Sequence, residues 1–124
     1  MKDLNRTYRD LIAWHKAMGL ILDVYAETSQ LPTTERFGLV SQMRRSAVSV
    51  PSNIAEGWGR GRTGDFTRFL HVARASLFEL STQTEICLRL GLRGNWPNVL
   101  TQIDEVSRIL HGLIRSRRPS KPNH

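Results

Sequence analysis

The stretch Phe66-Thr67-Arg68-Phe69-Leu70-His71-Val72-Ala73-Arg74-Ala75-Ser76-Leu77-Phe78-Glu79-Leu80-Ser81-Thr82-Gln83-Thr84-Glu85-Ile86-Cys87 decides the fold. Within it Phe66, Leu70, Ala73, Leu77, Leu80, Thr84 and Cys87 follow one another in alternating steps of four and three. That spacing lines one face of a helix, with the period of a seam between packed helices. At about 1.5 Å per residue the rod would run roughly 35–40 Å. Val72 and Ile86 fall nearly opposite the seam.

Helical spacing continues on both sides. Upstream, Phe37, Val40, Met43, Ala47, Val50, Ile54 and Trp58 form a second stripe, with Pro51 inside it. A proline there removes one donor and crowds the carbonyl of Ala47, so the spacing predicts a kinked helix that continues in phase. Gly57, Gly59, Gly61 and Gly64 are expected to end that helix and form a loop. Asn53, just after the kink, is read as a group that satisfies a freed carbonyl.

Further upstream, Leu11, Trp14, Met18, Ile21 (or Leu22) and Tyr25 make a first stripe, with Leu20 outside it among Lys16, Asp23 and Glu27. Thr7 and Asp10 have capping-box spacing, Leu31-Pro32 ends the helix, and Thr33 or Thr34 can cap the next. Downstream, Gly91 and Gly94 stop the third helix, and Asn95 caps a fourth with Pro97 in its first turn. Its stripe is Leu100, Ile103, Val106 (or Ser107), Leu110 and Leu113 (or Ile114). Nothing alternates with period two. The expectation is an all-α fold, an antiparallel up-down-up-down four-helix bundle over residues 1–118, with a disordered basic tail over 119–124.

Composition narrows the function. The 124 residues carry 18 Lys and Arg against 11 Asp and Glu, a net of +7. The excess sits in two segments. Residues 36–74 hold seven arginines against Glu56 and Asp65, and residues 111–124 add Arg115, Arg117, Arg118 and Lys121. Arginine grips phosphate bidentately, so a basic footprint of this kind points to nucleic acid or another polyanion. The bland alternative is a charged, soluble surface. No apolar run reaches the ~20 residues of a membrane span, and the start lacks a signal-peptide core. A cytoplasmic protein with no membrane partner is expected.

Reactive chemistry finds little support. The four histidines lack ligand spacing, so neither a metal nor a cofactor is expected. Cys87 falls on the apolar seam and reads as an inert buried thiol. Gly59-Arg60-Gly61-Arg62-Thr63-Gly64 matches G-x-G-x-x-G by letter, but the dinucleotide fingerprint needs a preceding strand. What survives is a loop feeding a helix N-terminus, an anion-binding geometry with Arg60 and Arg62 beside it. If the second and third helices are antiparallel neighbours, Arg44 and Arg45 on one and Arg68 and Arg74 on the other can join these two. The candidate nucleic-acid-binding residues are therefore Arg44, Arg45, Arg60, Arg62, Arg68 and Arg74, weighed against an internal ion-pair network. The outward apolar residues Leu20, Val72 and Ile86 point to self-association.

Several segments also match a bacterial family. Asp10-Leu11-Ile12-Ala13-Trp14-His15-Lys16-Ala17, Phe37-Gly38-Leu39, Gln42-Met43-Arg44-Arg45-Ser46-Ala47 and Val50-Pro51-Ser52-Asn53-Ile54-Ala55-Glu56-Gly57 carry the match, which continues through Phe69–Leu80. The sequence resembles the four-helix-bundle proteins, also called 23S ribosomal RNA intervening-sequence proteins, over roughly residues 8–115. The resemblance implies a four-helix bundle that assembles into a homopentamer. It also implies a distant likeness to the accessory variability protein of diversity-generating retroelements, a basic pentamer that binds RNA and a reverse transcriptase. Charge and resemblance together lead to a non-enzymatic, homo-oligomeric RNA-binding or accessory scaffold protein. The alternative is a module that assembles with another protein, its charge incidental.

Overall fold

The computed structural model describes residues 6–117. The tail expected over 119–124 and the first five residues lie outside them. The described chain is all helix and turn, with no strand: α1 spans Ile12–Thr28, α2 Ser41–Gly59, α3 Thr63–Arg89 and α4 Trp96–Ser116. Short turns at Tyr8–Asp10, Thr33–Glu35 and Arg36–Val40 lead into the first two.

All seven residues of the α3 seam are buried. They meet Met43, Ala47, Val50 and Ile54 from α2 and Val99, Ile103, Val106, Leu110 and Ile114 from α4 in one core. Val72 and Ile86 are exposed on the far side of α3, as the helical wheel places them.

The first helix is phased differently from its sequence reading. Its core side is Ala13, Ala17, Leu20 and Val24, with Leu20 fully buried, while Met18 and Tyr25 are 38% and 40% exposed. Two interleaved apolar stripes occupy this helix, and the one containing alanines lets α1 approach its neighbours closely. Phe37 also leaves its expected stripe and is 86% exposed. It lies in a turn of wide helical pitch, where Gly38 (φ −101°, ψ −108°) breaks the helical path before α2 begins.

The ends of the helices follow local chemistry. Thr7 and Asp10 form the capping box, with Asp10 accepting the Thr7 N–H at 2.8 Å and Thr7 Oγ1 accepting the Arg9 N–H at 3.1 Å. The box closes the Tyr8–Asp10 turn, one step ahead of α1. Neither Thr33 nor Thr34 caps α2. They enter a short turn, and Glu35 Oε1 accepts the Leu39 N–H at 3.2 Å. Asn95 caps α4, its side chain accepting the Asn98 N–H at 3.3 Å.

Gly57 does not end α2; it is buried inside it. A Cβ there would stand 2.6 Å from Phe69 Cβ, so this glycine lets α2 and α3 touch. The turn proper begins at Gly61, whose φ of +76° suits glycine. Pro51 is buried within α2. Beside it Ser52 Oγ donates to the Val48 carbonyl (2.7 Å), and Asn53 Nδ2 donates to the carbonyl and hydroxyl of Ser49 (2.8 and 2.9 Å). Asn53 therefore has a backbone-satisfying role, though toward Ser49 rather than Ala47.

Contacts between helices set their relative positions. Arg44 in α2 reaches the last turn of α1, Met43 meets Cys87 in α3, and Gly57 meets Phe66 and Phe69 at the start of α3. Asp23 binds Gln102, and Lys16 pairs with Glu105 at 3.3 Å, joining α1 to α4.

Candidate nucleic-acid interface

Three of the six arginines singled out by sequence lie apart from the turn between α2 and α3. Arg44 is near the start of α2 and Arg60 just past its end, sixteen residues or about 24 Å further along the axis. Arg44 works on the end of α1. Its Nε donates to Thr28 Oγ1 at 2.9 Å, its Nη2 donates to the Tyr25 carbonyl and Ser29 Oγ at 3.3 Å each, and its guanidinium lies 4.4 Å from the Tyr25 ring centroid. A cation at a helix C-terminus is favourable, so this arginine is a structural clasp. Arg45 is exposed beside a groove between α2 and α3 that also holds Ser49, Ser76, Glu79 and Gln83. Arg74 stacks on Phe78 at 5.2 Å, with its Nε buried and unpartnered among the described residues.

The remaining three cluster where α2 hands over to α3. Arg60 pairs with Glu56 at 2.8 Å, and Arg68 with Asp65 at 3.6 Å. Both guanidiniums also face the Phe69 ring, at 4.9 and 4.7 Å. These ion pairs are solvent-exposed on at least one side, where such a pair contributes at most about 1 kcal/mol. A phosphate could therefore compete for either arginine. Their effect meanwhile is to occupy the two carboxylates nearest the loop.

Arg62 is placed otherwise. It precedes Thr63 at the start of α3, where no side chain caps the first turn. With Arg6 and Arg117 it lines a cleft of about 380 Å³ whose walls also include Trp58, Thr63 and Phe66. Trp58 and Phe66 meet edge to face at 5.6 Å, and the Arg117 guanidinium sits 5.2 Å from the Phe66 ring centroid. Among the described residues no carboxylate lines the cleft, and no ion pair involves Arg6, Arg62 or Arg117.

Of the six sequence candidates the structure brings Arg60, Arg62 and Arg68 to one end of the bundle, where Arg6 and Arg117, which were not among the candidates, lie beside Arg62. Trp58, read as core, is only partly buried and lines the cleft, whereas Phe66 is buried as expected and backs the cleft from the core. The available signal was the second basic segment, since Arg115 and Arg117 end the fourth helix and helix ends meet helix ends in a bundle.

A model of the 23S rRNA-intervening sequence protein family matches residues 9–112. The chain belongs to that family. The match takes in all four helices nearly to the end of α4 and leaves Arg6 and Arg117 just outside it. No curated protein matches this intervening-sequence family member.

Elsewhere in this family member, reactive groups are dispersed. Among the described residues no group of three or more His, Cys, Asp or Glu is placed to hold a metal ion. Burial, and then the Glu35 carboxylate, push the Cys87 thiol up to about 11, and its sulfur lies 3.6 Å from Met43 Sδ. That thiol is protonated at neutral pH and enclosed by the core. Within the described residues no helix is long and apolar enough to cross a membrane.

Proposed function

We propose that this protein is a non-enzymatic, cytoplasmic RNA-binding bundle that presents a basic end. The observation that carries this reading is the gathering of Arg6, Arg62 and Arg117 in one cleft that no carboxylate of the described residues lines, with Arg60 and Arg68 beside it. Like charges repel, so such a cluster is most stable with an anion between them, and guanidinium is the side chain best shaped for phosphate. Arg44 is set apart as structural, and Arg45 and Arg74 form an outlying pair of contacts for a longer strand.

The bundle is read as up-down-up-down. The supporting contacts are start-to-end ones: Arg44 with the last turn of α1, Gly57 with the first turns of α3, and Met43 with Cys87. A bend at Pro51 goes with the missing backbone donor there. Self-association into a homopentamer is the assembly the family likeness favours. Exposed Val72, Phe78 and Ile86 on α3, with Met18 and Leu22 on α1, supply apolar surface for it. A ring would repeat the basic end and multiply weak contacts by effective concentration.

Fluorescence anisotropy with a labelled single-stranded RNA tests the reading. Three phosphate contacts on a single strand give a log–log salt slope of about −2, hence a loss of roughly 20-fold between 50 and 200 mM salt. The triple variant Arg60→Ala, Arg62→Ala, Arg68→Ala should weaken binding across all RNA sequences alike. Absence of binding at low salt, or binding indifferent to salt, overturns the reading.

A further inference from the structure

The cleft beside α3 has features that a generic phosphate-gripping surface does not need. It is concave, at about 380 Å³, within the ~300–1,000 Å³ range of small-molecule sites and larger than a phosphate group alone requires. Its walls are of two kinds. Arg6, Arg62 and Arg117 bring three positive charges, while the half-buried Trp58 brings aromatic surface, backed by the Phe66 ring, which is itself only 4% exposed. The Arg117 guanidinium stacks near the Phe66 ring, and its Nε is buried with no hydrogen-bond partner among the described residues. A charged donor left in that state is normally matched to an acceptor, because desolvating it unpaired costs about 1–3 kcal/mol or more. The nearby acids do not supply that acceptor, since Glu56 holds Arg60 and Asp65 holds Arg68.

Charge counting separates the ligands that could. An internal phosphodiester carries one negative charge, whereas a phosphomonoester carries about 1.5–2 at pH 7. Three guanidiniums without an ion pair among the described residues, in a cleft at the uncapped first turn of a 27-residue helix, suit the monoester better. The aromatic walls suit a base attached to it, because a base stacks on aromatic side chains whatever its identity.

We infer that the cleft lined by Arg6, Arg62, Arg117, Trp58 and Phe66 is a socket for a terminal nucleotide, holding the end phosphate of an RNA strand on the arginines with its base against the aromatic wall. This rests on the nucleic-acid reading above and narrows it from the strand to its end. The socket selects for a free, phosphorylated terminus, while Arg60 and Arg68 serve the phosphates that follow.

The test uses the full chain and one short RNA in three forms: 5′-phosphorylated, 3′-phosphorylated and with hydroxyls at both ends. One phosphorylated form should bind about tenfold more tightly than the hydroxyl form, the effect of roughly one added charge-assisted pairing. The double variant Arg62→Ala, Arg117→Ala should abolish that preference, with helicity by circular dichroism unchanged. Adenosine monophosphate should displace the phosphorylated RNA at lower concentration than inorganic phosphate does, and Trp58→Ala should bring the two competitors level. Equal affinity for all three RNA forms overturns the socket and leaves the nucleic-acid reading standing. No binding of any form at low salt overturns both. Should the two competitors already be level in the unaltered protein, the aromatic half of the socket is wrong.

Discussion

At Gly57 the backbone of α2 passes so near α3 that an added Cβ would lie 2.6 Å from Phe69 Cβ and 3.2 Å from Phe66 Cδ1. The first of these atoms is fixed to its own backbone and cannot swing aside. Overpacking of this kind typically costs about 1–3 kcal/mol, against a helix-propensity gain of roughly 1 kcal/mol for alanine over glycine. Gly57→Ala should therefore lower the thermal midpoint. Gly59, with open space around its Cβ position, is the matched control, and Gly59→Ala should leave the midpoint level or slightly raised. Equal midpoints for the two variants would mean that α2 and α3 do not meet where described. The same contact sets the spacing of Phe66 and Trp58, so a shift there would reach the cleft before it reached the rest of the core.

At the scale of the element, α1 gives the sharpest comparison. Leu20 is fully buried and Met18 is 38% exposed, although the spacing of the larger side chains suggests the reverse. Leu20→Ala should cost about 2–5 kcal/mol in denaturant unfolding, as buried leucines do. Met18→Ala should cost well under half as much; comparable losses would restore the original phasing. The reason the sequence misleads here is physical. Trp14, Met18, Leu22 and Tyr25 dominate any count of apolar residues, but Ala13 and Ala17 permit the close approach that decides which face turns inward. The α3 seam suffers no such competition and was legible to the last residue, as was the Asn95 cap. The entry to α2 was not legible, because α2 has no side-chain cap and Glu35 instead caps the Arg36–Val40 turn ahead of it, reaching Leu39 across the Gly38 break. In the candidate site, the loop-borne Arg60 and Arg62 could be read from their neighbours in sequence. Arg117 was signalled only by its place in the second basic segment at the end of α4, and Arg6 not at all, since what joins it to Arg62 is tertiary proximity alone.

At the scale of the whole molecule, most exposed large apolar residues lie on α1 and α3, with Phe37 ahead of α2, Val48 on it and Leu90 just past α3. With self-association as proposed, native mass spectrometry should find masses at multiples of 14.2 kDa. The double variant Val72→Lys, Ile86→Lys, which places charge on the α3 outer face without touching the seam, should run as a single chain of unchanged helicity. An unaltered protein already at 14.2 kDa removes the assembly and, with it, the avidity argument.

Arg6 and Arg117 stand 111 positions apart in the sequence and share one cleft. A bulky group introduced beside either, at Thr7 or Ser116, is thus poised to obstruct ligand entry, whereas a dye there would report occupancy. Grafts intended to be silent belong at the opposite end, in the exposed Pro32–Thr34 bend.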